Sequence, residues 1–284
     1  MAERKIRAAL IQMDLAYRDP AANRAKASEL IDKAAELSPD VVLLPETWTS
    51  AYSVPVFHNI KAYAEPIDGP SVSMLREKAR RYGFNMVGGS LALAEGEVCY
   101  NAAPVINRKG ELLGKYCKMH LYSAMDEDMA FTHGTEMPVW EFDFGKAAVM
   151  TCYDIRFVEL SRTFALRGAK VIFVVSNFPA PKLHHWRTLL QARAIENQLF
   201  VVACNRVGSA EEYTYFGHSI AIDPWGETIA EGGEKEQIIP VEIDLDAVDV
   251  VRSRIPMFYD RRPLSYPDDF QKPGLPADYK WPSR

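Results

Sequence analysis

The chain has 284 residues, 48% of them hydrophobic and 25% charged, an ordinary globular composition that excludes disorder and fibrous repeats. A net charge of -5, with no long Lys/Arg block, excludes an electrostatic nucleic-acid footprint, and the longest apolar runs fall far short of a membrane span. Cys99, Cys117, Cys152 and Cys204 lack CxxC spacing, and Met1–Met13 is too short and too interrupted for a secretory signal, so a cytoplasmic location is expected.

In chain order, Ile6–Ile11 reads as a strand. Asp19-Pro20 then reads as an N-cap followed by proline at the first helical position, with Ala27, Leu30, Ile31, Ala34 and Leu37 at helical spacing behind it. Pro39 stops that helix, and Val41–Leu44 is a short, wholly apolar strand of the buried kind. A helix over Ser71–Tyr82 follows, then strands over Asn85–Ala92, Cys99–Ile106, Glu111–Tyr116 and Val139–Phe142. The strand–helix–strand order recurs in Ala147–Thr151, Phe157–Arg167 (ended by Gly168) and Val171–Val175. A long helix over Leu183–Asn197 precedes strands at Phe200–Cys204, Ser219–Ile222, Thr228–Ala230 and Ile238–Ile243, and a helix over Leu245–Arg252. Alternating strands and helices predict a layered α/β fold. Two similar halves point to two sheets packed face to face with helices outside, although periodicity alone leaves a barrel open. Arg262–Arg284, rich in proline and aromatic residues, reads as an extended tail lying on a surface.

Functional groups in α/β folds collect beyond the carboxyl ends of strands. Glu46 follows Val41-Val42-Leu43-Leu44-Pro45, Lys118 follows the strand ending near Tyr116, Cys152 follows Ala147–Thr151, and Glu127 lies on the loop after Lys118. Each alone has a bland reading: a small buried hydrophobe for the cysteine, solvated surface charges for the others. Together they make a nucleophilic site that needs no histidine.

The surrounding residues resemble the nitrilase superfamily of carbon–nitrogen hydrolases. Leu44-Pro45-Glu46 matches its first motif, and Tyr116-Cys117-Lys118-Met119-His120-Leu121 matches the YxKxHL pattern. Thr151-Cys152-Tyr153-Asp154-Ile155-Arg156-Phe157 matches the nucleophile segment, with Val158 where the family usually carries proline. Ala192–Gln198 and Gly217–Gly226 also match, so five ordered motifs run through residues 5 to 260. The resemblance implies an αββα four-layer sandwich, with a carbon–nitrogen hydrolase domain over 1–261 and the tail over 262–284. It also implies roles. Cys152 attacks an amide carbonyl; Lys118 lowers the thiol pKa and, with the Tyr153 backbone N–H, stabilises the oxyanion. Glu46 moves the protons and activates water for deacylation, and Glu127, seven residues before Gly134, positions substrate and tunes Lys118. No cofactor or metal is implied.

Other patterns carry less. Gly217-His218-Ser219-Ile220-Ala221 nearly matches a GxSxG elbow, but Asp223-Pro224-Trp225-Gly226 makes a turn where the elbow needs a helix, so Ser219 is read as structural. Adjacent His184 and His185 point in different directions on a helix and lack a third ligand nearby. Nucleotide-binding glycine motifs are missing.

The stretch Ser176-Asn177-Phe178-Pro179-Ala180-Pro181, the segment His185–Arg193 and Cys204-Asn205-Arg206-Val207-Gly208 resemble the omega-amidase branch, which acts on 2-oxo acid amides. That resemblance implies substrate contacts from Tyr153, Asn177 and Phe178, the last a smaller ring than the tryptophan that related bacterial members often carry. Arg156 and Lys182 are the candidate cations for a substrate carboxylate, and Arg156 has the alternative of pairing with Asp154. An aliphatic amidase, a nitrilase and an N-carbamoyl hydrolase share the same residues. A non-catalytic interaction protein is the alternative of another class, and retention of all four catalytic-type residues argues against it. The expected partners are a small amide substrate and a second copy of the chain, joined through the helix after Cys152, the Leu183–Asn197 helix and the tail with Phe258, Tyr259 and Tyr266.

Overall fold

Local signals place the first elements. The Asp19 side chain accepts the Ala22 N–H and caps a helix that begins at Pro20, the cap and proline arrangement expected of that dipeptide. The computed structural model describes residues 5–266; the tail reading for 267–284 and the first four residues lie outside the described residues. The strands of the first half are β1 (Lys5–Gln12), β2 (Val41–Leu43), β3 (Asn85–Val87), β4 (Leu91–Glu95), β5 (Val98–Ile106) and β6 (Leu112–Cys117). Those of the second half are β7 (Trp140–Phe142), β8 (Gly145–Thr151), β9 (Val171–Ser176), β10 (Phe200–Asn205), β11 (Val207–Ala210), β12 (Tyr213–Phe216), β13 (Ile220–Ile222), β14 (Thr228–Glu231) and β15 (Gln237–Asp244). The helices are α1 (Pro20–Ala35), α2 (Val54–Phe57), α3 (Pro70–Tyr82), α4 (Glu127–Ala130), α5 (Val158–Leu166), α6 (Leu183–Asn197), α7 (Asp246–Arg254) and α8 (Met257–Asp260).

One sheet runs β15-β1-β2-β3-β5-β4, with β6 on the other edge of β5; the second runs β14-β13-β10-β9-β8-β7. β1, β2 and β3 are parallel, as are β8, β9 and β10. Side chains alternate across a strand, and β1 shows the consequence. Ile6, Ala8 and Leu10 share a core with Val149, Val174 and Val202 of the second sheet and with Leu160, Phe164, Trp186 and Leu190 of α5 and α6. Ala9 and Ile11 turn the other way, into a core with Leu30 and Ile31 of α1 and Val72 and Leu75 of α3. The layers are therefore helix, sheet, sheet, helix: an αββα sandwich. Among the described residues no helix is long and apolar enough to cross a membrane.

Two features differ from the sequence reading. The single strand expected over Asn85–Ala92 is two strands, interrupted at Gly88-Gly89. Gly89 has φ +65°, and a Cβ added there would sit 2.3 Å from the Pro45 carbonyl oxygen. The interruption cradles the loop that carries Glu46: Trp48 Nε1–H donates to the Gly88 carbonyl at 2.9 Å, Thr47 N–H to Ser90 Oγ at 3.0 Å, and Ser90 N–H to the Pro45 carbonyl at 3.1 Å. Secondly, a hairpin of β11 and β12 occupies a stretch with no expected strand. At the start of the tail, Pro263–Ser265 forms one 3-10 turn with Leu264 fully exposed.

Candidate active site

The carboxyl ends of β2, β6, β8 and β9 meet at one edge of the sandwich, two from each sheet. Glu46 lies just beyond β2, Lys118 beyond β6, Cys152 beyond β8, and Asn177 and Phe178 beyond β9. Glu46, Lys118 and Glu127 are wholly buried. Lys118 Nζ donates to Glu46 Oε1 at 2.8 Å and to both Glu127 oxygens at 2.8 Å. The four residues that the sequence singled out are thus brought together: Cys152 lies within electrostatic reach of Glu46, Lys118 and Glu127.

Each carboxylate is held on several sides. Glu46 Oε2 accepts the Asn177 backbone N–H at 2.9 Å, which ties the first sheet's catalytic-type carboxylate to the second sheet. Glu127 opens the short helix α4, and its Oε2 accepts the Tyr52 hydroxyl at 2.6 Å and the Tyr122 N–H at 2.7 Å. Asn101 Nδ2 bridges the pair, donating to Glu46 Oε1 at 2.9 Å and Glu127 Oε1 at 2.8 Å. The Asn101 carbonyl also accepts the Lys118 N–H at 2.8 Å, which extends the β5–β6 ladder to the lysine itself. Neither Asn101 nor Tyr52 was singled out from the sequence. A lone buried asparagine in a strand of mostly apolar residues was a usable signal for the first; nothing local marks Tyr52, which the fold delivers from a loop.

The electrostatics follow from burial. Burial opposes the Lys118 ammonium, but Glu127 and Glu46 outweigh it and hold its pKa above the ordinary lysine value, so it stays charged. Burial pushes Glu46 above the ordinary glutamate range against the pull of Lys118. The Cys152 thiol is also pushed up, by burial first and then by Glu46. Lys118 acts in the expected direction and draws the thiol down, but burial outweighs it. A thiol raised in this way needs a base to take its proton as it attacks.

Cys152 opens a 3-10 turn, Cys152–Arg156, with φ +47°, a left-handed conformation unusual outside glycine. It lines a pocket with Tyr52, Tyr122, Tyr153, Asn177, Phe178, Arg156 and Lys182. Tyr153 rests against Tyr122 (ring centroids 4.9 Å apart). Phe178 is buried, and its backbone is held on both sides by Asn205: Phe178 N–H donates to Asn205 Oδ1 at 2.7 Å, and Asn205 Nδ2 donates to the Phe178 carbonyl at 3.2 Å. The alternative of an Arg156–Asp154 pair gives way to another arrangement. Asp154 is engaged by Tyr116, His120 and Thr151, while the Arg156 guanidinium lies over the Tyr153 and Phe178 rings and contacts His185 at 3.3 Å. Lys182 Nζ donates to the Tyr122 hydroxyl at 3.3 Å. The pocket therefore carries two cations on the same wall as the aromatic rings. Ser219 is structural as read: its hydroxyl donates to the Asn205 carbonyl at 3.1 Å and accepts the Asn205 N–H at 2.9 Å.

The family model described as carbon-nitrogen hydrolase matches residues 7–253. The chain is 40% identical over 252 residues to the 2-oxoglutaramate amidase of Bacillus subtilis, covering 89% of this chain and 96% of that protein. It is similar in structure to a Saccharomyces cerevisiae protein described as a member of branch 10 of the nitrilase superfamily, with TM-score 0.84, 31% identity, and coverage of 91% and 97%. An amidase from Nesterenkonia sp. AN1, a mutant bearing the acetamide moiety of fluoroacetamide covalently on its active-site cysteine, matches with TM-score 0.80, 27% identity, and coverage of 91% and 94%.

Proposed function

This chain belongs to the carbon-nitrogen hydrolase family, and on that footing we propose that it works as an omega-amidase, hydrolysing the terminal amide of a 2-oxo acid amide of the 2-oxoglutaramate type to the acid and ammonia. The observation that carries the reading is the buried Glu46–Lys118–Glu127 cluster set against a pocket that Cys152 lines.

Cys152 Sγ attacks the amide carbonyl carbon as Glu46 takes the thiol proton. The oxyanion is stabilised by the Lys118 ammonium and the Tyr153 backbone N–H. Glu46 returns the proton to the nitrogen, the C–N bond breaks, ammonia leaves and a thioester remains. Water, deprotonated by Glu46, then cleaves the thioester; the carboxylate product departs and Cys152 regains its proton. Glu127 keeps Lys118 charged and in place.

Arg156 and Lys182 support a substrate with a carboxylate at its far end, and Asn177 and Phe178 complete the wall. We place the protein in the cytoplasm, in keeping with four cysteines that are all free. We also propose a homodimer through α5, α6 and the start of the tail, where Val158, Leu166, Ile195, Tyr259 and Leu264 are exposed.

Ammonia release across a panel tests the reading: 2-oxoglutaramate, 2-oxosuccinamate, glutamine, a simple aliphatic amide, a nitrile and an N-carbamoyl amino acid. A preference for 2-oxo acid amides above about tenfold in kcat/KM, or ~1.4 kcal/mol of transition-state binding, is expected. Faster turnover of the neutral amide removes the omega-amidase assignment.

A further inference from the structure

Asp154 takes no part in the chemistry above, yet its buried carboxylate is saturated with donors. Oδ1 accepts the His120 backbone N–H at 3.1 Å and lies 2.8 Å from His120 Nδ1; Oδ2 accepts the Tyr116 hydroxyl at 2.7 Å and the Thr151 N–H at 2.9 Å. Tyr116 and His120 flank Lys118, two residues to either side, and Thr151 immediately precedes Cys152. The two segments come from different sheets: β6 belongs to the first and β8 to the second. No shared ladder of backbone hydrogen bonds sets the distance between the lysine and the cysteine. One carboxylate spans that gap, and it does so beside a nucleophile held at φ +47°, a conformation that its own backbone disfavours. The His120 ring lies flat on Phe157, with centroids 3.6 Å apart at 5°, and closes the outer side of the contact.

We propose that Asp154 is a positioning residue: it clamps the Cys152 turn to both flanks of Lys118 and so fixes the thiol against the ammonium and Glu46. Lys118 is anchored independently by Glu46 and Glu127, so loosening the clamp displaces the nucleophile relative to a fixed charge. The consequence belongs to the rate of attack and not to substrate binding, since misplacing a reacting group by about 1 Å costs on the order of 100-fold.

The proposal rests on the amidase reading for its turnover arm only. Asp154→Asn keeps the shape but turns one acceptor into a donor facing N–H or O–H groups; Tyr116→Phe removes one donor to Asp154 and a long 3.4 Å acceptor for the Met119 N–H, and is the milder change. Expected for Asp154→Asn is a fall in kcat of about 100-fold with KM within a few-fold of the parent. Tyr116→Phe falls less, in the same direction. The rate of Cys152 alkylation by iodoacetamide, followed by peptide mass, drops in parallel in both variants. Should Asp154→Asn fail to fold, Tyr116→Phe decides alone. Unchanged alkylation and unchanged kcat per folded molecule, with only the melting temperature lowered, overturn the clamp and leave Asp154 a core-stabilising residue. If the parent turns over none of the amides, the functional reading fails, while the alkylation rates still support or overturn the clamp.

Discussion

Glu46 is where burial and chemistry meet. Its pKa is raised in the folded protein, by burial first, so the native state binds a proton that the unfolded chain has already released. The sign follows from linkage: this group's contribution to stability is present below the ordinary glutamate value and is lost as pH rises through the folded one. Wherever the base is ionised, the native state carries the cost of its burial. Glu46→Gln is expected to slow acylation and deacylation by about 100-fold or more. It is expected to lower the melting temperature as well, because the glutamine NH2 must face one of the N–H donors from Lys118, Asn101 or Asn177 that the carboxylate accepts. In the parent enzyme the acidic limb of kcat/KM should lie above the ordinary glutamate pKa, in the direction in which burial pushes Glu46. A pH–rate profile and calorimetry of the variant check both. Near-normal kcat in Glu46→Gln assigns the base elsewhere. That Cys152, Lys118, Glu46 and Glu127 come together in one place was suggested by strand ends and, above all, by the family resemblance. The raised thiol was not, since spacing says nothing of how deeply a group is buried or which carboxylates already hold the neighbouring lysine.

At the scale of elements, the interruption between β3 and β4 is the feature with a functional reason. Gly88-Gly89 was visible in the sequence as a breaker pair, but apolar residues on both sides read as one continuous strand. The hairpin of β11 and β12 was illegible for another reason: its strands are four residues each and contain Gly208, too short for a period to emerge. It nevertheless matters to the site, because the Tyr215 hydroxyl donates to the Tyr52 carbonyl at 2.6 Å and so supports the tyrosine that donates to Glu127. Helix α6, by contrast, spans the same Leu183–Asn197 that sequence patterning predicts. Gly89→Ala should lower both stability and kcat: positive φ alone costs about 1 kcal/mol, and the added Cβ meets the Pro45 carbonyl beside Glu46. Gly96→Ala is the control, since Gly96 has φ +59° with open space around it. It should lower the melting temperature by the backbone effect and leave kcat unchanged. Equal kcat in the two variants would show that the cradle does not hold Glu46 in place.

At the scale of the whole molecule, the candidate site lies at the edge of the sandwich where strand ends of both sheets meet, and α5, α6 and α8 carry several exposed apolar side chains, among them Val158, Leu166, Ile195 and Tyr259. The groove there is lined by Val158, Leu166, Met257 and Tyr266 together with Arg162, Arg261, Glu159, Glu196 and Thr163, an apolar strip with a charged border as a protein interface has. Light scattering is expected to report a particle of about twice the 32.0 kDa chain mass; a particle of 32.0 kDa refutes the dimer. The alternation of strands and helices pointed to two packed sheets but left a barrel open; the resemblance implied the αββα layering, and the pairing of both sheets through Glu46 and Asn177 needed the fold. The central claim is a thioester on Cys152, and acid-quenched mass spectrometry during turnover of 2-oxoglutaramate tests it most directly. The account predicts an acyl adduct that maps to Cys152 and disappears, together with ammonia release, in Cys152→Ala. Ammonia release that persists in Cys152→Ala would contradict it.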